Sequence, residues 1–167
     1  MDPIAIAVTQ FAFNLLVWTL IARWYVAPRL AKLPIHAALM PPMFIHLIRP
    51  ISMWMMAPAS QMGITVPEAW GRSTAIGDLV AAGLALATLF ALRHRARPAI
   101  AMAWIANIVG VLDAAKNGVY GMQLAVIPKM GPATLIVPYA VPILFVSHGV
   151  VFWLLVRHRM APTPMPQ

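Results

Sequence analysis

A chain of 167 residues that is 62% hydrophobic and only 10% charged, with twelve Lys and Arg against four Asp and Glu, does not describe a soluble domain, in which about a quarter of the residues are charged. Cysteine is absent, which excludes disulfides, iron–sulfur clusters, thiolate zinc and cysteine nucleophiles. The net charge of +8 does not point to nucleic acid, because the basic residues form short clusters between apolar runs, where anionic lipid and topology account for them.

Apolar runs near the ~20 residues needed to cross a hydrocarbon core fall at about 4–26, 35–57, 74–92, 99–119 and 133–156. The predicted fold class is therefore an all-α polytopic membrane bundle of five transmembrane helices, a single unit over 1–159. The first run begins "MDPIAIAV", without the basic start of a secretory signal, and reads as a retained span. The second is the least regular. Pro34, Pro41, Pro42, Pro50 and Pro58 flank or interrupt it, each removing a backbone donor and favouring a kink or an end. The third, "GDLVAAGLALA", is rich in small residues, and Gly83 with Ala87 has the spacing of a close helix contact. Residues 58–72 and 118–132 form the longer loops of one side. The tail 160–167, "MAPTPMPQ", has no helical pattern and is expected to be disordered.

Basic residues set the orientation. Arg23, Arg29 and Lys32 follow the first run, Arg93, Arg95 and Arg97 the third, and Arg157 and Arg159 the fifth. Five alternating crossings put all three clusters on the cytoplasmic side, with the N-terminus outside and the C-terminus inside. Were 35–57 to dip in and return, the Arg93–Arg97 cluster would fall opposite the first. Trp18, Trp24, Tyr25, Trp54, Trp70, Tyr120 and Trp153 lie mostly near span ends, as interfacial anchors do.

The segment "NIVGVLDAAKNG", Asn107 to Gly118, puts an amide, a carboxylate and an ammonium in an apolar helix. At about 1.5 Å per residue from the outer end, Asp78, Asp113 and Arg49 share a layer roughly 6–12 Å deep. Asn14, His46 and Asn107 fall near 15–18 Å and His148 near 21 Å. An ionised Asp at a helix centre costs ~2.5–3.5 kcal/mol, so both carboxylates should face the interior, with Arg49 as counter-ion. Lys116 could instead serve Asp113 at i+3 or reach the headgroups. Gly110, Asp113 and Asn117 fall on one helical face, and His46 and Arg49, three apart, share another if the second run is helical there. Gly149 beside His148 is expected to make room for it.

The bland reading of Asp78, Asp113 and Arg49 is an ion pair that sets helix register, and that of His46 and His148 is interhelical hydrogen bonding. The functional reading assigns Asp113 and His148 as acid/base candidates, and Asn14, His46, Arg49, Asp78, Asn107, Lys116 and Asn117 as ligand-binding candidates. No cofactor or metal is predicted, although the His46/His148 pair leaves axial ligation of haem b as an option. His36, His94 and His158 read as solvated interface residues. The twelve methionines, "MWMM" at Met53 to Met56 included, read as packing rather than a copper site.

Three stretches, "GDL" at Gly77 to Leu79, "NIVGVLD" at Asn107 to Asp113 and "VPILFVSHGVVFWLL" at Val141 to Leu155, resemble a group of small uncharacterised multi-span proteins of the bacterial inner membrane. The resemblance covers roughly the last 90 residues. In that group a "PHAFRH" segment stands where this chain has "PMFIHL", so His46 matches the last histidine while the earlier His and Arg are missing. The resemblance implies a multi-pass inner-membrane location and supplies no activity.

The function expected from these residues is an outward-facing polar intramembrane pocket that binds or translocates a small molecule or a proton. Its partners would be the bilayer, a small lipophilic or polar ligand and further copies of the chain, since five spans are few for an alternating-access monomer; nucleic acid is not among them. The alternatives are an isomerase-like membrane enzyme with acid/base chemistry on a lipophilic substrate, and a structural subunit of a membrane complex. No activated serine, HExxH or phosphate-cradling glycine loop is present.

Overall fold

The computed structural model describes residues 2–57 and 59–160. Pro58 and the tail residues 161–167 lie outside the described residues. Every element described is helical. Four helices are long and apolar enough to cross a membrane: α1, Pro3–Leu30; α3, Glu68–Arg93; α4, Ala99–Gln123; and α5, Ile136–Met160, which extends a helical turn over Gly131–Leu135. Helix α2, Ile35–Ile45, is shorter and passes directly into a 3-10 helix, His46–Met56.

Local chemistry explains the boundaries. Asp2 caps α1, its Oδ1 accepting from the Ile4 N–H at 3.0 Å, and Pro3 occupies the first turn, where a missing N–H costs nothing. Pro28 would break the ladder further along. The helix absorbs it with a π turn over Ala22–Val26, in which the Ala27 N–H bonds the Ala22 carbonyl, and Arg29 Nη1 donates to the Tyr25 carbonyl at 2.7 Å. Helix α3 starts after Pro67 with Glu68 in its first turn, where a carboxylate complements the helix dipole.

Successive segments run in opposite directions. Leu30, Leu92, Ala99 and Leu155 meet in one apolar cluster, so the ends of α1, α3 and α5 and the start of α4 share one end of the bundle. That end carries the Arg29–Lys32, Arg93–Arg97 and Arg157–Arg159 clusters, and there Arg157 lies over Trp153 at 5.5 Å and Arg159 over Trp104 at 5.1 Å. At the other end Met55, Ile64, Val126, Met130 and Ala133 form a second cluster. The two loops behind it are stitched by the Thr65 N–H, which donates to the Lys129 carbonyl at 2.8 Å.

The α2 segment is the departure from five regular helices. Pro41 and Pro42 each remove an N–H inside α2, and Pro50 does so inside the 3-10 stretch. At about 1.5 Å per α residue and 2.0 Å per 3-10 residue, the two halves together rise roughly 38 Å. The segment is therefore as long as a span without being one apolar α-helix. Small residues also pack differently from the pattern read in α3. Gly83 and Ala87 face outward, and Ala81, Ala82 and Ala85 form the buried contact.

Two glycines separate freedom from constraint. A Cβ on Gly83 would meet nothing within 4 Å, whereas Gly131 has φ +52° and a Cβ there would stand 2.8 Å from the Met62 carbonyl oxygen. Gly83→Ala is expected to raise stability by up to about 1 kcal/mol, and Gly131→Ala to lower it by more than about 1 kcal/mol. Denaturant unfolding of the purified variants in mixed micelles checks the opposite signs.

Candidate functional site

The site begins with the 3-10 helix. With three residues per turn, positions i and i+3 eclipse, and His46, Arg49, Ser52 and Met55 form one stripe that is buried throughout its length. Ile48, Ile51, Met53 and Trp54 point away from the bundle. The stripe faces α3 and α5, and its polar members stand between the two apolar clusters.

Arg49 is 2% exposed and gathers the polar groups of three helices. Its Nη2 donates to Asp113 Oδ2 at 3.0 Å and lies 3.3 Å from the Gly110 carbonyl oxygen. Its Nη1 stands 3.3 Å from His148 Nε2. Its Nε is 2.8 Å from Asp78 Oδ1, an ion-pair distance, but the N–H is not directed at that oxygen and makes no hydrogen bond. Lys116 Nζ holds the other Asp113 oxygen at 3.3 Å, at i+3, and donates to Ser73 Oγ at 3.1 Å. Asp78 and Asp113 against Arg49 and Lys116 make two charges of each sign, so the cluster is neutral as a whole.

Two glycines admit this geometry. Gly77 on α3 is the seat of the Asp113 carboxylate, which occupies the space a Cβ would need. On α4, a Cβ at Gly110 would stand 2.6 Å from His148 Cε1 and 3.4 Å from Arg49 Nη1. Gly110 therefore supplies the room expected from Gly149, which faces open space.

Hydrogen-bond roles fix both imidazoles. A guanidinium only donates, so His148 Nε2 accepts from Arg49 and the ring proton is on Nδ1, donated to Asn107 Oδ1 at 2.7 Å. Asn107 Nδ2 in turn donates to the His148 carbonyl at 3.2 Å. Ser147 spends its hydroxyl proton on the Leu144 carbonyl at 2.9 Å, so it accepts from His46 Nε2 at 3.2 Å. The two rings thus carry their hydrogen-bonded protons on opposite nitrogens and touch, with centroids 4.2 Å apart and planes at 47°. A haem held by two histidines lies between them. Here the rings meet directly and a guanidinium faces one Nε2, so this pair does not provide two axial ligands. Among the described residues no three His, Asp or Glu gather as metal ligands.

Asp113, His148, His46, Arg49, Asp78, Asn107 and Lys116 are brought into one network. Asn14 is not. It lies on α1, and its Nδ2 donates to the Gln10 carbonyl of its own helix at 3.0 Å, a local bond that the α1 sequence could not distinguish from a buried amide. Asn117 is at the edge, where its carbonyl accepts from Trp70 Nε1 at 3.2 Å and Trp70 rests against Gly121. His148 was expected about 9 Å deeper than Arg49, yet the two touch. The 3-10 rise of about 2.0 Å per residue carries Arg49 about 4 Å further along its segment than an α-helical rise would. Ser52, Ser73, Thr74, Trp70 and Gly77 are site neighbours that the sequence reading missed. The spacing His46-x-x-Arg49-x-x-Ser52-x-x-Met55 was the available signal for Ser52.

Arg49→Gln leaves two buried carboxylates without their shared cation and is expected to cost about 3–5 kcal/mol. Lys116→Met, at a side chain 43% exposed, should cost no more than about 1 kcal/mol. Equal losses in unfolding experiments would contradict Arg49 as the centre. Solid-state nitrogen NMR should find His148 protonated at Nδ1 and His46 at Nε2; one tautomer for both would contradict the assignment.

No solved structure and no curated protein matches the chain. Residues 6–156, from early in α1 nearly to the end of α5, match the family model described as Domain of unknown function (DUF8737). The chain belongs to that family.

Proposed function

We propose that the chain is a five-crossing protein of the bacterial inner membrane, N-terminus outside and C-terminus in the cytoplasm, whose Arg49-centred core binds a proton from the outer side. Rearrangement of that core moves the proton, or a small molecule with it. Support for five crossings comes from the alternating segments, the roughly 38 Å rise of α2 with its 3-10 extension, and the basic clusters at one end. The bacterial inner membrane rests on the resemblance of the three stretches quoted above. Five crossings are few for alternating access, which favours association of copies.

The observation that carries the reading is that the polar side chains are packed against one another. Arg49, Asp113, His148 and Asn107 are within hydrogen-bond reach in series. A proton is a ligand that needs no cavity, and carboxylates and imidazoles inside a membrane mark proton sites. Exposure falls from Lys116, 43%, through Asp78, 16%, to Asp113, 8%. Access therefore runs between α3 and α4. The apolar cluster around Leu39, Met43, Leu89 and Val151 closes the other side, which favours a one-sided site over an open channel. The completeness of the ion pairing favours one other reading, a structural subunit in which the core only fixes register.

Reconstitution into liposomes with an entrapped pH-sensitive dye separates the two. Under an imposed pH gradient, with charge balanced by a potassium ionophore, protein-containing vesicles should take up protons faster than empty ones. Asp113→Asn should reduce the difference about tenfold. Wild-type vesicles that behave as empty ones would leave the structural reading alone.

A further inference from the structure

At the seam between the 3-10 helix and α3, three buried polar atoms are short of well-directed hydrogen bonds: Arg49 Nε and Ser52 Oγ, which stand beside the Asp78 carboxylate, and Thr74 Oγ1. Their residues are 2%, 3% and 8% exposed. Ser52 lies one 3-10 turn beyond Arg49 and stands beside the Asp78 carboxylate. Thr74 is one α-helical turn before Asp78, on the same buried side of α3. Such groups are rarely left without a partner, and one donor and two hydroxyls beside a carboxylate match the two to four polar contacts that a buried water makes.

Asp113 offers no comparable surroundings. Each of its oxygens is held by a cation, Oδ2 by Arg49 and Oδ1 by Lys116, and its carboxylate fills the space above Gly77. A proton there would displace one of those cations. Asp78 has a single ionic contact, to Arg49 Nε at 2.8 Å, and its other polar neighbour is the neutral Ser52 hydroxyl.

We propose that Asp78, not Asp113, is the carboxylate that takes up the proton, in a hydrated niche made by Ser52, Thr74 and Arg49 Nε. The ligand of the niche is water. A hydronium arriving there transfers its proton to the Asp78 carboxylate and leaves as water, and the acid returns the proton to water when it is released. Asp113 stays ionised and keeps Arg49 in place throughout. The charged groups that act on Asp78 are Arg49 from the 3-10 helix and Asp113 from α4; behind them, His148 from α5 meets Arg49, His46 meets His148, and Lys116 meets Asp113. The roles of the two carboxylates are thereby split, a conclusion that rests on the proton-binding reading given above.

Infrared difference spectroscopy of the full chain in lipid, titrated with acid, tests the split. A protonated-carboxyl band should grow in the wild type, vanish in Asp78→Asn and persist in Asp113→Asn. Ser52→Ala and Thr74→Val, which keep every ion pair, should shift the band to higher frequency as the niche around the carboxyl loses a hydroxyl that holds its water. A band lost with Asp113→Asn instead, or one unmoved in both hydroxyl variants, overturns the proposal. The hydroxyl variants decide the matter should Asp78→Asn fail to fold. A band that follows Asp78 in vesicles showing no proton uptake upholds the niche and overturns translocation. Uptake with the band on Asp113 does the reverse.

Discussion

A guanidinium removed from water inside an apolar bundle must be surrounded by acceptors, and Arg49 recruits them from every helix it faces: Asp78 from α3, Asp113 and the Gly110 carbonyl from α4, and His148 from α5. Burying a charge costs several kcal/mol unless it is paired in good geometry. That requirement couples the relative positions of four segments to one side chain. The glycines at 77 and 110, the direction of the 3-10 stripe and the Nδ1 proton of His148 all follow from it.

The 3-10 helix is what presents Arg49 correctly. In an α-helix a residue three positions on is displaced by about 60° of arc, and six positions on by about 120°, so His46, Arg49 and Ser52 would fan apart. At three residues per turn they line up, and the stripe stays buried while the intervening apolar residues face outward. Runs of this kind longer than three or four residues are uncommon. Here eleven residues, His46–Met56, hold the form, with Pro50 unable to donate to an α ladder in their middle.

Much of this was legible in the sequence, for physical reasons. Charges in apolar helices must pair, so Asp78, Asp113 and Arg49 point to one another in the sequence alone. Helical periodicity put Gly110 and Asp113 on one face. Periodicity failed where the helix type changed. A depth scale of 1.5 Å per residue separated Arg49 from His148, and the prolines of the second segment signalled irregularity without indicating the tighter winding. Glycines were the other weak point. A glycine makes room only if a neighbour faces it, and Gly83, Gly110 and Gly149 are alike in sequence while only Gly110 has a side chain across from it. Asn14 shows the same limit for amides, since a local bond to Gln10 and a long-range one look identical in one dimension.

The neutrality of the core has an electrical consequence. Two carboxylates balanced by two cations form a unit on which a transmembrane voltage does no net work, however far the unit moves as a body. On the proposed proton-binding reading, protonation of one carboxylate changes that. The core then carries one elementary charge, worth ~2.3 kcal/mol per 100 mV across the full membrane. Bundle motions that are insensitive to voltage in the empty state would become voltage-driven only in the loaded one.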